Sequence, residues 1–331
     1  MVSESAGRTG ENQIEDKSTD SLFTRVRHAL KFRLVQVKAI QPLSASMVRV
    51  TLAGEDLHDF ASSAFDDHVK VFFPQPGEDK PVLPSMGAEG PVFPTGVPKP
   101  EARDFTPRRF DPIAGELDLE FAFHPELGDL HHGPAARWAA QVKVGQYLGI
   151  GGPRGSRVLN QSFDWWLLIG DETALPAIGR RLEELPADSQ VTVLLEVENA
   201  AARIALPETS AATVSAATVS AATVSAATVS AATVSAATVS AGSVSAGSVS
   251  AATVKVQWLY REAGSDQGML SALRQWQPPA GRGFVWAAGE YSSMQAVREI
   301  LLQQHALDKR YLRVASYWKR GVENAHEKIE G

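Results

Sequence analysis

No cysteine occurs among the 331 residues. That absence excludes a disulfide scaffold, a thiol nucleophile, a cysteine-zinc centre and a cysteine-ligated iron–sulfur cluster. Redox chemistry in this chain must come from a bound organic cofactor or from a metal held by histidine and carboxylate. No apolar run approaches the roughly 18 residues of a membrane-spanning helix. Net charge is also small: 32 basic against 38 acidic residues leave −6. A chain that coats nucleic acid would be basic, so that class is set aside, although a local basic pocket is not. The first 20 residues carry five acids, two bases and no apolar stretch. They lack the features of a secretory leader, so a cytoplasmic address is the default expectation. Their Ser, Gly and acid content reads as a disordered tail, as does 322–331 at the other end. A monomer is the expected state.

What is present divides into two patterns. A short amphipathic helix is expected over 22–29. Alternating apolar positions then predict strands over 34–40, 47–52 and 68–73. Residues 74–100 hold eight prolines and four glycines and read as a long surface loop. Strand character resumes over 105–110 and 116–123. Gly133-Pro134 opens a short helix through Trp138, and 146–150 is a further strand. This half, 21–157, suits a Greek-key β-barrel. From 164 to 321 the pattern changes to apolar strands alternating with helices. Strands are expected over 165–169, 190–197, 254–260, 283–288 and 311–317, and helices over 176–185, 269–276 and 295–304. That alternation implies a doubly wound α/β domain built on a parallel sheet.

The α/β half is interrupted by nine consecutive pentads over 210–254, seven Ser-Ala-Ala-Thr-Val and two Ser-Ala-Gly-Ser-Val. A period of five fits neither helix nor flat strand. One reading is a tandem expansion in a surface loop, which loop-closure entropy tolerates because it grows only logarithmically with length. The other is a small stacked solenoid with valines inside. Near-identity of the repeats favours expansion.

Four motifs carry chemistry. Arg103-Asp104-Phe105-Thr106-Pro107-Arg108 supplies an aromatic face, a hydroxyl and cations at strand spacing. The strand alternation separates Phe105 from Thr106 and Arg108, so a local bend is needed to gather them. His131-His132-Gly133-Pro134-Ala135-Ala136-Arg137-Trp138 offers a glycine-led helix start, whose backbone N–H groups suit a pyrophosphate. With His124 nearby it also invites a metal reading, but no carboxylate spacing supports one and no metal site is expected. Gly170-Asp171-Glu172-Thr173-Ala174-Leu175-Pro176-Ala177 and Trp286-Ala287-Ala288-Gly289-Glu290 each follow a buried strand, where open α/β sheets bind nucleotides. Neither is a Gly-x-Gly-x-x-Gly fingerprint.

In this order the motifs resemble the siderophore-interacting protein family, the FAD-dependent ferric-siderophore reductases of the ferredoxin–NADP reductase-like superfamily. His68-Val69-Lys70-Val71-Phe72-Phe73-Pro74, Gly151-Gly152-Pro153-Arg154-Gly155 and Tyr317-Trp318-Lys319-Arg320-Gly321 extend the likeness over 30–321 outside the pentads. Phe105 stands where tyrosine is usual and Ala136 where serine is common. The resemblance implies an oxidoreductase that reduces Fe(III) held by a siderophore to Fe(II). Electrons come from NADH, NADPH or reduced ferredoxin through FAD, and no acid–base catalytic residue is needed. It implies that Arg103, Phe105, Thr106, Arg108, His124, Gly133, Pro134, Ala135, Ala136 and Trp138 hold FAD. Asp171, Thr173, Ala288, Gly289 and Glu290 would border the nicotinamide. Arg180 and Arg181 are candidate cations for a 2′-phosphate, and the choice between NADH and NADPH stays open. Lys70, Arg154, Lys319 and Arg320 would surround an anionic chelate. Alternatives are a flavin reductase of the same architecture with another acceptor, and a non-enzymatic iron-chelate binding protein.

The pentads bear no charge, aromatic ring or metal ligand over 45 residues, so they are expected to be dispensable for the chemistry. Deleting eight of them should leave FAD content and turnover within about twofold, as surface loops tolerate. Loss of folding or activity in the shortened protein would show that the repeats pack on the body.

Overall fold

The segment 22–29, where spacing predicts a helix, is instead strand β1 (Phe23–Arg27), paired antiparallel with residues 155–159. Its Phe-Thr-Arg-Val-Arg sequence suits a strand better than a helix, because the aromatic and β-branched side chains lose little freedom there. Phe23 packs on Phe284 with ring centroids 6.1 Å apart, and Arg157 covers its other side at 4.4 Å. The computed structural model describes residues 22–123, 133–186, 188–207, 253–261, 267–322 and 329. His124, the pair His131-His132, the first tail and nearly all of the pentads lie outside these.

Strands β2 (Phe32–Ser44), β3 (Met47–Ala53) and β4 (Val69–Phe72) follow. The proline-rich segment carries a small hairpin, β5 (Ser85–Gly87) and β6 (Gly90–Val92). The expected strand over 105–110 is two strands, β7 (Ala102–Phe105) and β8 (Arg109–Asp111). Then come β9 (Glu116–Ala122), helix α1 (Pro134–Ala140) and β10 (Tyr147–Gly151). The seven-stranded antiparallel sheet has the order β7-β4-β10-β2-β3-β9-β8. Its outermost strands, β7 and β8, are joined by residues 106–108 alone, so the sheet must roll until its edges approach. The period of two then sorts side chains. Val35, Val37, Val50, Leu52, Val69, Val71, Leu117, Leu119, Leu148 and Ile150 fill the interior at 1% exposure or less. Helix α1 adds Trp138 to this core beside Phe73 and Phe121.

After β11 (Gly155–Leu159) the chain becomes doubly wound, as its alternation implies. The elements are β12 (Trp165–Gly170), α2 (Leu175–Glu184), β13 (Gln190–Val197), β14 (Thr253–Tyr260), α3 (Gln267–Gln275), β15 (Gly283–Glu290), α4 (Tyr291–Glu299) and β16 (Leu312–Trp318). A π-helical turn over 300–304 extends α4. The strands form one parallel sheet, β14-β13-β12-β15-β16. Central strands β12 and β15 are buried at every position, which explains their unbroken apolar sequence. Helix α2 packs on one face, and α3 and α4 on the other. No helix among the described residues is long and apolar enough to cross a membrane.

The two halves are pinned by polar contacts around a buried carboxylate. Asp66, just before β4, accepts a hydrogen bond from Trp286 Nε1 and an ion pair from Arg313 Nε, both at 2.9 Å. Burial pushes this carboxyl up, while Arg313 and Trp286 pull it back. Phe65 meets the Trp286 ring at 5.6 Å. Arg180 of α2 donates to Ser62 Oγ at 2.8 Å and to the Pro107 carbonyl at 3.2 Å.

Candidate functional site

Alternation on β4 creates a groove on the outside of the barrel. Val69 and Val71 point inward, so His68, Lys70 and Phe72 line the outer face. Asp104 of β7 lies directly opposite Lys70 and pairs with its ammonium at 2.7 Å. On the other side of β4, Gly151 is the Lys70 partner in β10. A Cβ on Gly151 would come within 3.0 Å of Phe32, and one on Gly149 would overlap Leu83, so bare backbone is required there. Arg154 closes the end of the groove and meets no carboxylate among the described residues. Pro84, Pro91 and Phe93 of the proline-rich segment form an apolar wall. The enclosed volume is about 460 Å³.

Lys70 and Arg154, singled out from sequence, are therefore brought together. Lys319 and Arg320 do not line this groove. The Lys319 ammonium lies over the Tyr291 ring at 4.8 Å, and the Arg320 backbone donates to Glu290 Oε1 at 3.2 Å. Both belong to the end of β16, beside α4.

The β7 motif bends as its chemistry demands. Phe105 packs toward the barrel core, 4.5 Å from Phe121 and 6.5 Å from Phe73 between ring centroids. Arg103 lies on the same side of β7, and its guanidinium donates to the Ala102 carbonyl at 2.9 Å. Thr106 is buried and lies close to the Tyr317 hydroxyl near the end of β16. Tyr317 is thus a site residue that motif reading left as strand. Arg108, expected to meet phosphate, is engaged by carboxylates here. Its guanidinium is buried, donates to both Glu183 oxygens at 2.7 and 2.8 Å, and lies 3.5 Å from Glu120. It also sits against Gly179, where a Cβ would come within 3.1 Å of it. A bidentate pair of this kind fastens barrel to helix.

Helix α1 begins at Gly133 with no side-chain cap. Pro134 has no N–H, so the backbone donors of Ala135 and Ala136 have no partner within the helix. Trp138 Nε1 is buried and likewise unpartnered.

At the carboxyl ends of the parallel strands, the carboxylates are used internally. Asp171 accepts from Thr173 N at 2.8 Å, Trp318 Nε1 at 2.8 Å and Glu290 N at 3.2 Å. Burial and the adjacent Glu172 push its carboxyl up. Glu290 caps α4 through Ser293 N at 3.0 Å. Glu172 pairs with Arg261, which also reaches Glu196. Ala288 is fully buried in the core, and a Cβ on Gly289 would lie 2.7 Å from Asp171 Oδ2. Of the residues expected to border a nicotinamide, only Thr173 is partly exposed; Asp171 and Glu290 instead hold the strand ends together. Arg180 is spent on Ser62, Pro107 and Glu184. Arg181 is stacked over Trp166 at 4.1 Å, so neither arginine is placed for a 2′-phosphate.

Comparison with known proteins agrees with this geometry. A model described as the siderophore-interacting FAD-binding domain matches residues 36–157. A second, described as siderophore-interacting protein, matches 163–247 and 245–321. An Escherichia coli protein named NADPH-dependent ferric-chelate reductase is 31% identical over 298 residues, 89% of this chain and 95% of its own. A Vibrio cholerae ferric vibriobactin reductase is 28% identical over 294 residues, 87% of this chain and 90% of its own. The crystal structure of a siderophore utilization protein from T. fusca superposes with a TM-score of 0.72 and 33% identity, covering 92% of this chain and 99% of the other.

Because Arg108 fastens the halves, Arg108→Ala should cost about 2 kcal/mol of stability by removing the bidentate pair with Glu183 and leaving buried Glu120 to Arg49 alone. Protein that remains folded should keep its FAD. Thermal unfolding and flavin absorbance of the purified variant check both parts, and a folded but colourless variant would restore Arg108 to the cofactor.

Proposed function

The chain belongs to the siderophore-interacting protein family, and from that premise we propose an FAD- and NAD(P)H-dependent reductase of ferric siderophores. The barrel residues fit FAD on two observations. The uncapped start of α1 leaves backbone donors for pyrophosphate oxygens, and the orphaned Trp138 indole N–H is a further buried donor. Arg103 supplies a cation beside that helix, and Phe105 and Thr106 border the ring. FAD held there would supply the conversion from a two-electron hydride donor to single-electron transfer that Fe(III) reduction needs.

The chain's own groups perform the remaining work. Thr173, at the carboxyl end of β12, borders the nicotinamide. Phe105, anchored on Phe121, and buried Tyr317 would position Thr106 beside the ring. Lys70 and Arg154 attract and orient the chelate on the outer barrel face. Each Fe(III) takes one electron, so one NAD(P)H serves two chelates. Fe(II) is larger and softer than Fe(III) and binds hard oxygen donors less tightly, so reduction releases the iron. No side chain has to give or take a proton at the metal.

The observation that carries this reading is the groove itself. In a chain of net charge −6, its two cations are balanced by Asp104 alone. Long-range repulsion of an anionic chelate is thereby reversed locally. The double substitution Lys70→Glu with Arg154→Glu should raise the apparent KM for an anionic ferric chelate about tenfold or more, and hardly change that for a neutral trihydroxamate. Reduction of bound flavin by NADPH should be unaffected. The anionic penalty should shrink with added salt, as the Debye length falls below about 8 Å. Equal losses for both chelates would remove the groove from substrate binding.

A further inference from the structure

We propose that His68 is a third, titratable cation of the chelate groove, so that preference for polyanionic chelates strengthens as pH falls through the histidine range. This rests on the groove being the chelate site, and it adds a residue that the sequence motifs leave without a role.

The register places it. Val69 pairs with Phe105 and Lys70 with Asp104, and His68 immediately precedes this ladder. His68 and Lys70 are two residues apart on one strand and therefore share the outer face. The imidazole lines the groove, is exposed and makes no hydrogen bond among the described residues. It sits where β4 begins, in the same groove lining as Lys70 and Arg154.

Its charged surroundings are few. Lys70 faces it from its own strand, Asp104 from β7 and Arg154 from the turn after β10. From β2 and the preceding turn the lining is Phe32 and Leu30, and the proline-rich wall contributes no charged side chain. Two cations and one carboxylate leave a net charge of one, and protonation of His68 doubles it. No other group lining the groove titrates between pH 5 and 8. The converse follows by linkage: a bound polyanion favours the imidazolium and draws a proton from solvent.

Gallium(III) tris-catecholate tests this without turnover, because the metal cannot be reduced under these conditions. Its dissociation constant for the FAD-loaded protein is measured between pH 6 and 8. Wild type should bind about three- to fivefold tighter at pH 6 than His68→Gln does, with the two converging at pH 8. His68→Lys should keep the tight value at both ends. Calorimetry in buffers of different ionisation enthalpy should show proton uptake on binding to wild type and none to His68→Gln. Parallel pH profiles for wild type and His68→Gln, with Lys70→Glu still weakening binding, would overturn the role of His68 and leave the groove standing. If Lys70→Glu and Arg154→Glu also leave binding unchanged, the groove reading itself fails.

Discussion

Residues 106–108 join the two outermost strands of the barrel sheet, and each of the three also meets the parallel-sheet half. Thr106 lies close to the Tyr317 hydroxyl, the Pro107 carbonyl accepts from Arg180, and Arg108 holds Glu183. A link this short fixes the curl of the sheet, because β7 and β8 cannot separate by more than about three residues of chain. The same link fixes where α2 and β16 rest on the barrel. The placement of Thr106 beside Tyr317 therefore depends on one constraint that also closes the barrel. Asp66 reinforces it from β4 through Trp286 and Arg313. The outer groove, Thr106 and the strand ends are set relative to one another by a short chain segment and two ionic contacts.

Much of this was legible in the sequence for a physical reason. Period-two patterns and unbroken apolar runs report one-sided and two-sided burial, and the antiparallel barrel and parallel sheet obey that distinction. Strand β1 was not legible, because its apolar residues Phe23 and Val26 are three apart, a spacing that helix and twisted strand share. What decides is its partner β11, 128 residues away where Arg27 pairs with Gly155. The site was legible in its motifs but not in its side-chain directions. Arg108 sits in a run of residues typical of phosphate binding, yet only the fold reveals Glu183 across from it. Tyr317 and His68 carried weaker signals. His68 could have been found from alternation alone, since it shares a face with Lys70.

The acids at the strand ends show how the two halves divide their electrostatic tasks. Asp171, Glu172 and Glu290 lie where a nucleotide would bind, and a negative field there would repel its phosphates. The structure removes most of that field by using these carboxylates internally. Asp171 accepts two backbone N–H groups and an indole, Glu290 caps a helix, and Glu172 is neutralised by Arg261. Each is buried, so their bonds are formed where water competes least. The barrel does the reverse. It keeps Lys70, Arg154 and His68 in a groove open to solvent. An open, weakly charged groove with glycine backbone for its floor and prolines for its wall suits chelates that differ in geometry but share negative charge. Selection by charge, unlike selection by shape, can be adjusted by a single proton.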